Sequence, residues 1–176
     1  MKRKKNINFS NFDKKMLKKI KLNNFLEKDV FFDYSKVIVN KPWGFEFILF
    51  QDKTVALWLL YLKKNYKTSL HCHLKKKTIL FVVKGSILFK TLNYSKTYKE
   101  GEYIKIDKKV FHQTKSISQS GSIILELETP VNKKDLVRLS DEYGRKGLGY
   151  ETSFKNVKNI NKLKKNLISK KIVIAK

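Results

Sequence analysis

Cysteine and proline are scarce in this chain, and long apolar runs are missing. The 176 residues include one cysteine, Cys72, and two prolines. A single cysteine excludes an internal disulfide. The chain has no stretch of about 18 consecutive apolar residues, which excludes a membrane-spanning helix. No apolar run follows the basic N-terminus, so we expect no secretory signal and a cytoplasmic location.

Arginine is also nearly absent, whereas lysine is abundant. Only three of the 40 basic side chains are arginines, and the net charge is +25. Arginine is the residue favoured for bidentate contacts to phosphates and bases. Residues 1–36 hold 11 basic and 4 acidic groups, and residues 153–176 hold 8 basic and none acidic, so the tails carry +15 of the charge. We therefore expect solvated lysine-rich tails and no nucleic-acid partner.

Short apolar segments separated by turn residues predict an all-β domain. A length of 176 residues indicates one domain with extensions, with boundaries at 1–36, 37–150 and 151–176. Short strands without long intervening helices are typical of an antiparallel barrel or jelly roll. The predicted strands are 36–40, 44–51, 54–63, 67–73, 78–83, 86–92, 95–99, 102–105, 111–116 and 121–128. A short turn or helix is expected at 133–142, and a weak helix at 156–171.

The N-terminal extension has two parts. Residues 1–12 are polar and basic and are expected to be flexible. Apolar residues at a helical period predict an amphipathic helix over 13–28, with Asp13 as its N-cap. Such a helix could lie on the barrel, on a partner subunit or on a membrane surface.

Histidine occurs only at positions 71, 73 and 112. Side chains alternate between faces along a strand, so His71 and His73 share one face and Cys72 points away as a buried barrel-wall thiol. Together with His112 on a later strand, the pair could form a divalent metal site, since imidazole suits zinc, iron, nickel or copper. The other interpretation is a polar pair on a solvent face plus an unrelated histidine.

The surroundings of these histidines form two similar units. His71-Cys72-His73 is followed by an apolar run that ends at Gly85, and an alternating strand after Gly101 leads to His112. This arrangement resembles the two-motif signature of the cupin superfamily. The resemblance implies a double-stranded β-helix whose His71, His73 and His112 hold zinc, iron, nickel or manganese. The chain departs from the signature at the opening glycine (Asn65 or Tyr66), at the Pro-x-Gly turn (Asp107 and Lys109) and at the glutamate ligand, where Thr78 stands.

Three further segments resemble the cupin domain of type II mannose-6-phosphate isomerases. They are Lys41-Pro42-Trp43-Gly44-Phe45-Glu46, Thr68-Ser69-Leu70-His71-Cys72-His73, and the stretch from Asp135 through Arg138 and Asp141 to Tyr143-Gly144-Arg145. The resemblance covers roughly residues 41–146. It implies a carbohydrate enzyme acting on a phosphorylated or nucleotide-linked sugar. Synthesis of a surface polysaccharide is the pathway we expect for such an enzyme.

Thr78 removes the only carboxylate ligand of the family's site, which implies weaker retention of the metal. Moving a proton between neighbouring sugar carbons requires a base. The remaining carboxylates that could serve are Glu126, Glu128 and Glu46. Glu126 and Glu128 face the same side of their strand, which is either the barrel interior or its outer surface. Glu126 is the candidate catalytic residue.

Two classes of function remain open. In the first, the protein is a metal-dependent sugar enzyme in which Arg138, Arg145 and Lys76 bind the anionic part of a sugar ligand. Lys76 and its neighbours Lys75 and Lys77 could equally form a solvated turn, and the two arginines could form a salt-bridge lock. In the second class, the protein is a non-catalytic sugar-binding cupin, and a metal-dependent lyase or dioxygenase also fits three histidines. Open edge strands predict a homodimer.

Overall fold

The computed structural model describes residues 5–20, 34, 37–132 and 135–145, and the backbone of 154–156. Its elements in chain order are β1 (Lys5–Ile7), α1 (Asn11–Lys19), β2 (Val37–Lys41), β3 (Gly44–Gln51), β4 (Ala56–Leu62), β5 (Leu70–His73), β6 (Lys77–Lys84), β7 (Ser86–Thr91), β8 (Ser95–Lys99), β9 (Tyr103–Ile106), β10 (His112–Ser116), β11 (Ser122–Thr129), β12 (Leu136–Ser140) and β13 (Phe154–Asn156). The all-β prediction is confirmed, and every strand predicted between residues 36 and 128 is present within a few residues of its expected bounds.

The strands form two sheets. The larger has the order β1-β9-β6-β11-β4-β3-β2-β13 and the smaller the order β12-β5-β10-β7-β8. The β1–β9 pair is parallel, whereas the other strand pairs are antiparallel. Most neighbours in each sheet are distant in sequence, as in a jelly roll, because the chain passes from one sheet to the other in several connections between successive strands.

The main core lies between the two sheets. Trp58, Leu60 and Leu62 of β4 point into it, and so do Leu80 and Val82 of β6, which follows from the two-residue period of a strand. From the smaller sheet the core receives buried apolar side chains of β7 and β8, namely Ile87, Phe89 and Tyr98. A second apolar cluster, built on Phe47 and Leu59, lies on the opposite face of the large sheet.

Helix α1 lies on its own barrel. Its apolar side chains Met16 and Leu17, with Ile20 just beyond, pack against a cluster of Cys72, Phe111 and Val137 on the outer face of the small sheet. The described helix therefore has a partner surface within the same chain. The helix ends at Lys19, and Ile20 is its extended C-cap, so α1 stops well before the predicted end at residue 28. Residues 21–28 lie outside the described residues.

Three local predictions were wrong. The N-cap of α1 is Ser10, and Asp13 is the third helical residue of a capping box, because its carboxylate accepts from the Ser10 backbone N–H at 3.0 Å. Residues 5–7, expected to be flexible, form β1 along β9. The turn or helix expected at 133–142 is replaced by β12, which pairs with β5. Most of the weak helix expected at 156–171 lies outside the described residues.

Gly44 fixes the start of β3. Its φ is +152°, and an added Cβ would lie 1.8 Å from the carbonyl oxygen of Tyr61 on the neighbouring strand. Only glycine fits this close approach of two backbones. Trp43 precedes Gly44 and Glu46 lies two residues after it, and both side chains line the candidate site. Within the described ranges, no helix is both long and apolar enough to span a membrane.

Candidate functional site

Two adjacent strands of the small sheet, β5 and β10, bring the predicted histidines together, and a third strand, β12, adds Arg138. In β10, His112 lies directly opposite His71 of β5. On the other side of β5, β12 places Arg138 opposite His71 and Leu136 opposite His73. Directly opposite residues share a face of a sheet, so this register groups the histidines and Arg138.

The three imidazoles converge on one point. Their ring centroids are separated by 5.1 Å (His71–His73), 4.5 Å (His71–His112) and 5.8 Å (His73–His112). One ligand atom from each ring lies within 4.8 Å of the other two. Two ligands that share one ion at about 2.1 Å lie at most about 4.2 Å apart, so only a small adjustment separates these rings from a shared metal. The alternative of unrelated histidines on a solvent face is excluded.

Each ring is oriented by an oxygen acceptor at its Nδ1 atom. Nδ1 of His71 lies 2.9 Å from the Ser69 carbonyl oxygen, and Nδ1 of His112 lies 2.9 Å from that of Val110. Nδ1 of His73 lies 3.1 Å from the Asp135 carboxylate. If each Nδ1 carries the proton it donates, Nε2 bears the lone pair in all three rings. Metal-binding histidines in proteins are usually held in this way, so the donor set fits a divalent ion.

Burial keeps two of these rings uncharged. Desolvation, reinforced by the neighbouring histidines, lowers the pKa of His71 well below its ordinary value. Desolvation also lowers the pKa of His112 to about 4. A metal ligand must be deprotonated, so both rings are ready to bind an ion at neutral pH without first losing a proton.

A cavity beside the histidines is lined mostly by polar and charged side chains. Its lining residues are Lys41, Trp43, Glu46, Trp58, Leu60, Thr68, Ser69, His71, His73, Lys76, Glu126, Glu128, Leu136, Arg138 and Arg145. The structure therefore places all the predicted substrate-binding residues, Lys76, Arg138 and Arg145, on the same cavity as the candidate catalytic residue Glu126.

A buried ion pair forms one wall of this cavity. The Lys76 ammonium group contacts the Glu128 carboxylate, which also accepts a hydrogen bond from Trp58 Nε1 at 2.9 Å. Burial alone would lower the pKa of Lys76, but attraction by Glu128, Glu126 and Asp135 outweighs burial and raises it. Lys76 is therefore a buried cation rather than part of a solvated turn, whereas Lys75 and Lys77 are exposed.

Both glutamates of β11 face the inside of the barrel. Glu128 is 1% exposed, whereas Glu126 is only half-buried. Across the sheet, Thr78 pairs with Glu128 and is also buried. The Thr78 hydroxyl has no hydrogen-bond partner among the described residues. The family's carboxylate position thus holds a neutral group, and the nearest acidic group in register is Glu128.

The rest of the cavity wall is also charged. Lys41 and Glu46 form a buried pair with 3.5 Å between Nζ and Oε1. Arg145 donates from Nε to the Asp141 carboxylate at 2.9 Å, and its guanidinium lies over the Tyr143 ring at 5.1 Å. The part of the predicted salt-bridge lock that joins Arg145 to Asp141 is therefore present, and it orients Arg145 while that residue still lines the cavity.

Sequence reasoning missed the role of Asp135. Its Oδ1 atom contacts His73, and its Oδ2 atom accepts from the backbone N–H groups of Lys75 and Lys76, each at 3.0 Å. One carboxylate thus fixes a candidate ligand and the turn that delivers Lys76. The sequence did offer a signal for this role, because Asp135 is the first residue of the segment, ending at Arg145, that resembles the isomerase cupins.

Comparison with known proteins identifies the fold. No protein-family model and no curated protein matches the sequence. The structure is similar to a protein with a double-stranded β-helix domain from Klebsiella pneumoniae, at a TM-score of 0.53 and 11% identity over 65% of this chain and all of the other. It is also similar to an RmlC-like cupin from Shewanella frigidimarina, at a TM-score of 0.50 and 14% identity over 61% and 95% of the two chains.

A third similar structure is part of a larger protein. The capsular polysaccharide assembling protein CapF from Staphylococcus aureus matches at a TM-score of 0.52 and 15% identity, over 60% of this chain and 34% of CapF. These similarities show that the chain has the cupin fold, which the sequence motifs predicted. They do not identify the reaction, which has to be inferred from the residues of the site.

Proposed function

We propose that this cupin binds a phosphorylated or nucleotide-linked sugar at a three-histidine metal site and moves a proton on it, as a sugar isomerase does. The observation that carries the proposal is the single cavity that joins His71 and His73 to a half-buried carboxylate, Glu126, and to two arginines. A sugar ligand requires this combination, because its hydroxyls need polar partners and its phosphate needs cations.

His71, His73 and His112 would hold the metal. A bound divalent ion would act as a Lewis acid on sugar oxygens. For the proton transfer, the Glu126 carboxylate takes a proton from the hydroxyl-bearing carbon next to the carbonyl. The electron pair of that C–H bond forms a C=C bond, and the carbonyl π pair moves onto the carbonyl oxygen, which takes the proton of the neighbouring hydroxyl. The oxygen that lost its proton then forms the new carbonyl, and the C=C pair takes the proton that Glu126 returns to the former carbonyl carbon, which completes the exchange of aldose and ketose.

Arg138 and Arg145 are proposed to bind the anionic group. Arg138 lies opposite His71 in register, and Arg145 is oriented by Asp141. A guanidinium fixed in this way has lost part of its side-chain entropy before the ligand arrives, which favours binding. The similarity to CapF is compatible with a role in polysaccharide synthesis.

A non-catalytic sugar-binding protein is the second candidate. The observation that favours it is Thr78, since the site lacks the carboxylate ligand that the family signature contains. The arginines and Glu126 would then bind the ligand without turnover.

Metal binding is expected to stabilise the protein through the three histidines. At a free metal concentration of 100 times Kd, binding adds about 2.7 kcal/mol. For a chain of this size that raises Tm by about 5–10 °C. Thermal unfolding with zinc, iron(II), nickel and manganese measures the shift. His73→Ala should lose the shift, whereas Cys72→Ala, which alters a side chain on the opposite face of β5, should keep it relative to its own metal-free form. An equal shift in both variants would contradict the site.

Arg138→Ala is expected to weaken the binding of sugar phosphates by about 10- to 100-fold. A hydrogen bond to a charged group contributes about 1.5–3 kcal/mol. Calorimetry with hexose phosphates and nucleotide-linked hexoses, on the metal-loaded protein, measures the change. The affinity of the wild type should also fall as salt is added.

Lys75→Ala is the matched control, because it removes a positive charge near the site from an exposed side chain that does not line the cavity. Its affinity should stay close to that of the wild type. If no sugar phosphate or nucleotide sugar binds while a neutral or aromatic ligand does, the carbohydrate proposal is wrong and a lyase or dioxygenase becomes the better candidate.

A further inference from the structure

The loop that leads into His112 lacks the residues that make such a turn rigid. In the cupin signature a Pro-x-Gly turn precedes this histidine, whereas Asp107 and Lys109 occupy those positions here. Lys109 nevertheless has a φ of +65°, a left-handed conformation that glycine adopts more readily. Without proline or glycine, other contacts must hold the loop in place.

Three backbone N–H groups of this loop donate hydrogen bonds to other parts of the chain. The Lys109 N–H donates to the His73 carbonyl oxygen at 2.7 Å, which ties the loop to β5. The other two come from the N-terminal segment. The Asp107 N–H donates to the Ile7 carbonyl oxygen at 2.9 Å, and the Phe111 N–H donates to Oδ1 of Asp13 at 2.8 Å.

Asp13 is itself held firmly. It is 2% exposed, and its second oxygen accepts from the backbone N–H of Ser10 at 3.0 Å and from the Ser10 hydroxyl at 2.6 Å. The apolar side of α1 anchors the helix on the cluster of Cys72, Phe111 and Val137. The carboxylate therefore reaches Phe111 from a fixed position.

The same loop orients the imidazole of His112. Nδ1 of His112 bonds to the carbonyl oxygen of Val110, one residue before Phe111. A shift of the Phe111 peptide would thus move both the backbone of His112 and the acceptor that orients its ring.

We infer that the N-terminal segment Lys5–Ile20 completes the metal centre, with Asp13 as a positioning residue for the ligand His112. This inference rests on the proposed three-histidine metal site. The segment takes over the role of the missing Pro-x-Gly turn, because it fixes the loop at Asp107 and at Phe111. Asp13 touches neither the metal nor the sugar and acts through the peptide N–H of Phe111.

The test compares zinc affinity among four full-length proteins: the wild type, Asp13→Ala, Asp13→Asn and Ser10→Ala. Loss of a group that orients a metal ligand typically weakens affinity by 10- to 100-fold, so the zinc Kd of Asp13→Ala should rise by about that factor. Asp13→Asn should stay near the wild type, because its amide oxygen can still accept from the Phe111 N–H.

Ser10→Ala is the control for helix stability. It removes the capping hydroxyl but leaves the Asp13–Phe111 bond, so its metal-free Tm should fall by about 2–4 °C with little change in zinc affinity. The absorption spectrum of bound cobalt(II) gives a second measurement. Its bands should change in Asp13→Ala, where His112 is displaced, and should match the wild type in Ser10→Ala.

Two failures can be told apart. If the wild type binds zinc and Asp13→Ala loses no more affinity than Ser10→Ala, the metal site stands and the role of Asp13 is refuted. If the wild type binds no zinc, iron(II), cobalt, nickel or manganese, the metal proposal fails, and this inference fails with it. Should Asp13→Ala not fold, Asp13→Ser, whose side chain is too short to reach Phe111, takes its place with the same expected rise in Kd.

Discussion

Lys76→Met is expected to destabilise the fold by about 3–5 kcal/mol. Removing one partner of a buried ion pair leaves the other as an uncompensated buried charge, and this penalty exceeds the value of the pair itself. Lys76 and Glu128 have side-chain exposures of 5% and 1%. Methionine keeps most of the volume of the lysine side chain. The decrease in the free energy of unfolding therefore measures the removal of the charge and not the creation of a cavity. Urea unfolding measures the free energy.

Lys77→Met is the matched control for this experiment. The neighbouring Lys77 also forms an ion pair, with 3.2 Å between its Nζ and Oδ1 of Asp107, but its side chain is 59% exposed. Exposed pairs contribute at most about 1 kcal/mol. The double variant Lys76→Met/Glu128→Gln should recover part of the stability, because it removes both charges. Equal losses for the two lysine variants would mean that the buried pair is solvated in solution.

The strands were predictable because their alternation is a local property of the sequence. The inward positions Trp58, Leu60 and Leu62 of β4 and Leu80 and Val82 of β6 are apolar and spaced by two, and this pattern depends on no distant contact. The same reasoning placed His71 and His73 on one face of β5 and Cys72 on the opposite face. Convergence with His112 needed the register of β5 and β10, which the sequence showed only through its resemblance to a known signature.

Two of the three wrong local predictions, those at β12 and β1, share a physical cause, and the third concerns where a helix begins. Residues 136–140 form a strand because β5 offers them a pairing edge, and a five-residue segment carries too little local signal to show this. Ser10 caps α1 because the helix begins two residues earlier than its apolar pattern suggested. Strand β1 depends in the same way on the edge of β9.

Lys76 shows how composition can mislead. Three successive lysines are typical of a solvated turn, and two of them are exposed as expected. The middle lysine lies two residues before Thr78 and four before Leu80, all of which point inward. Extending the inward positions Leu80 and Thr78 of β6 by one more step of two residues leads to Lys76 and would have predicted a buried cation. A buried cation requires a carboxylate partner, which Glu128 supplies.

Glu126→Gln is expected to reduce proton exchange on the sugar by about 10²- to 10⁴-fold, which is the usual contribution of a general base. Three glutamates line the cavity. Glu46 pairs with Lys41, and Glu128 binds Lys76 and Trp58, so the charges of these two carboxylates stabilise the fold. Glu126 is half-buried and lines the cavity, where a bound ligand can reach its carboxylate. Incorporation of deuterium from D₂O into the sugar, at the carbon next to the carbonyl, measures the exchange directly.

Measuring the affinity for the sugar phosphate distinguishes a catalytic role of Glu126 from a structural one. Glutamine has nearly the shape of glutamate, so Glu126→Gln should keep its Tm and bind the sugar phosphate within a few-fold of the wild type while exchange is lost. Glu100→Gln, which removes an exposed carboxylate that does not line the cavity, should leave exchange unchanged. If the metal-loaded wild type binds the sugar but incorporates no deuterium, Glu126 has no catalytic role and the protein is the non-catalytic sugar-binding cupin that Thr78 favours.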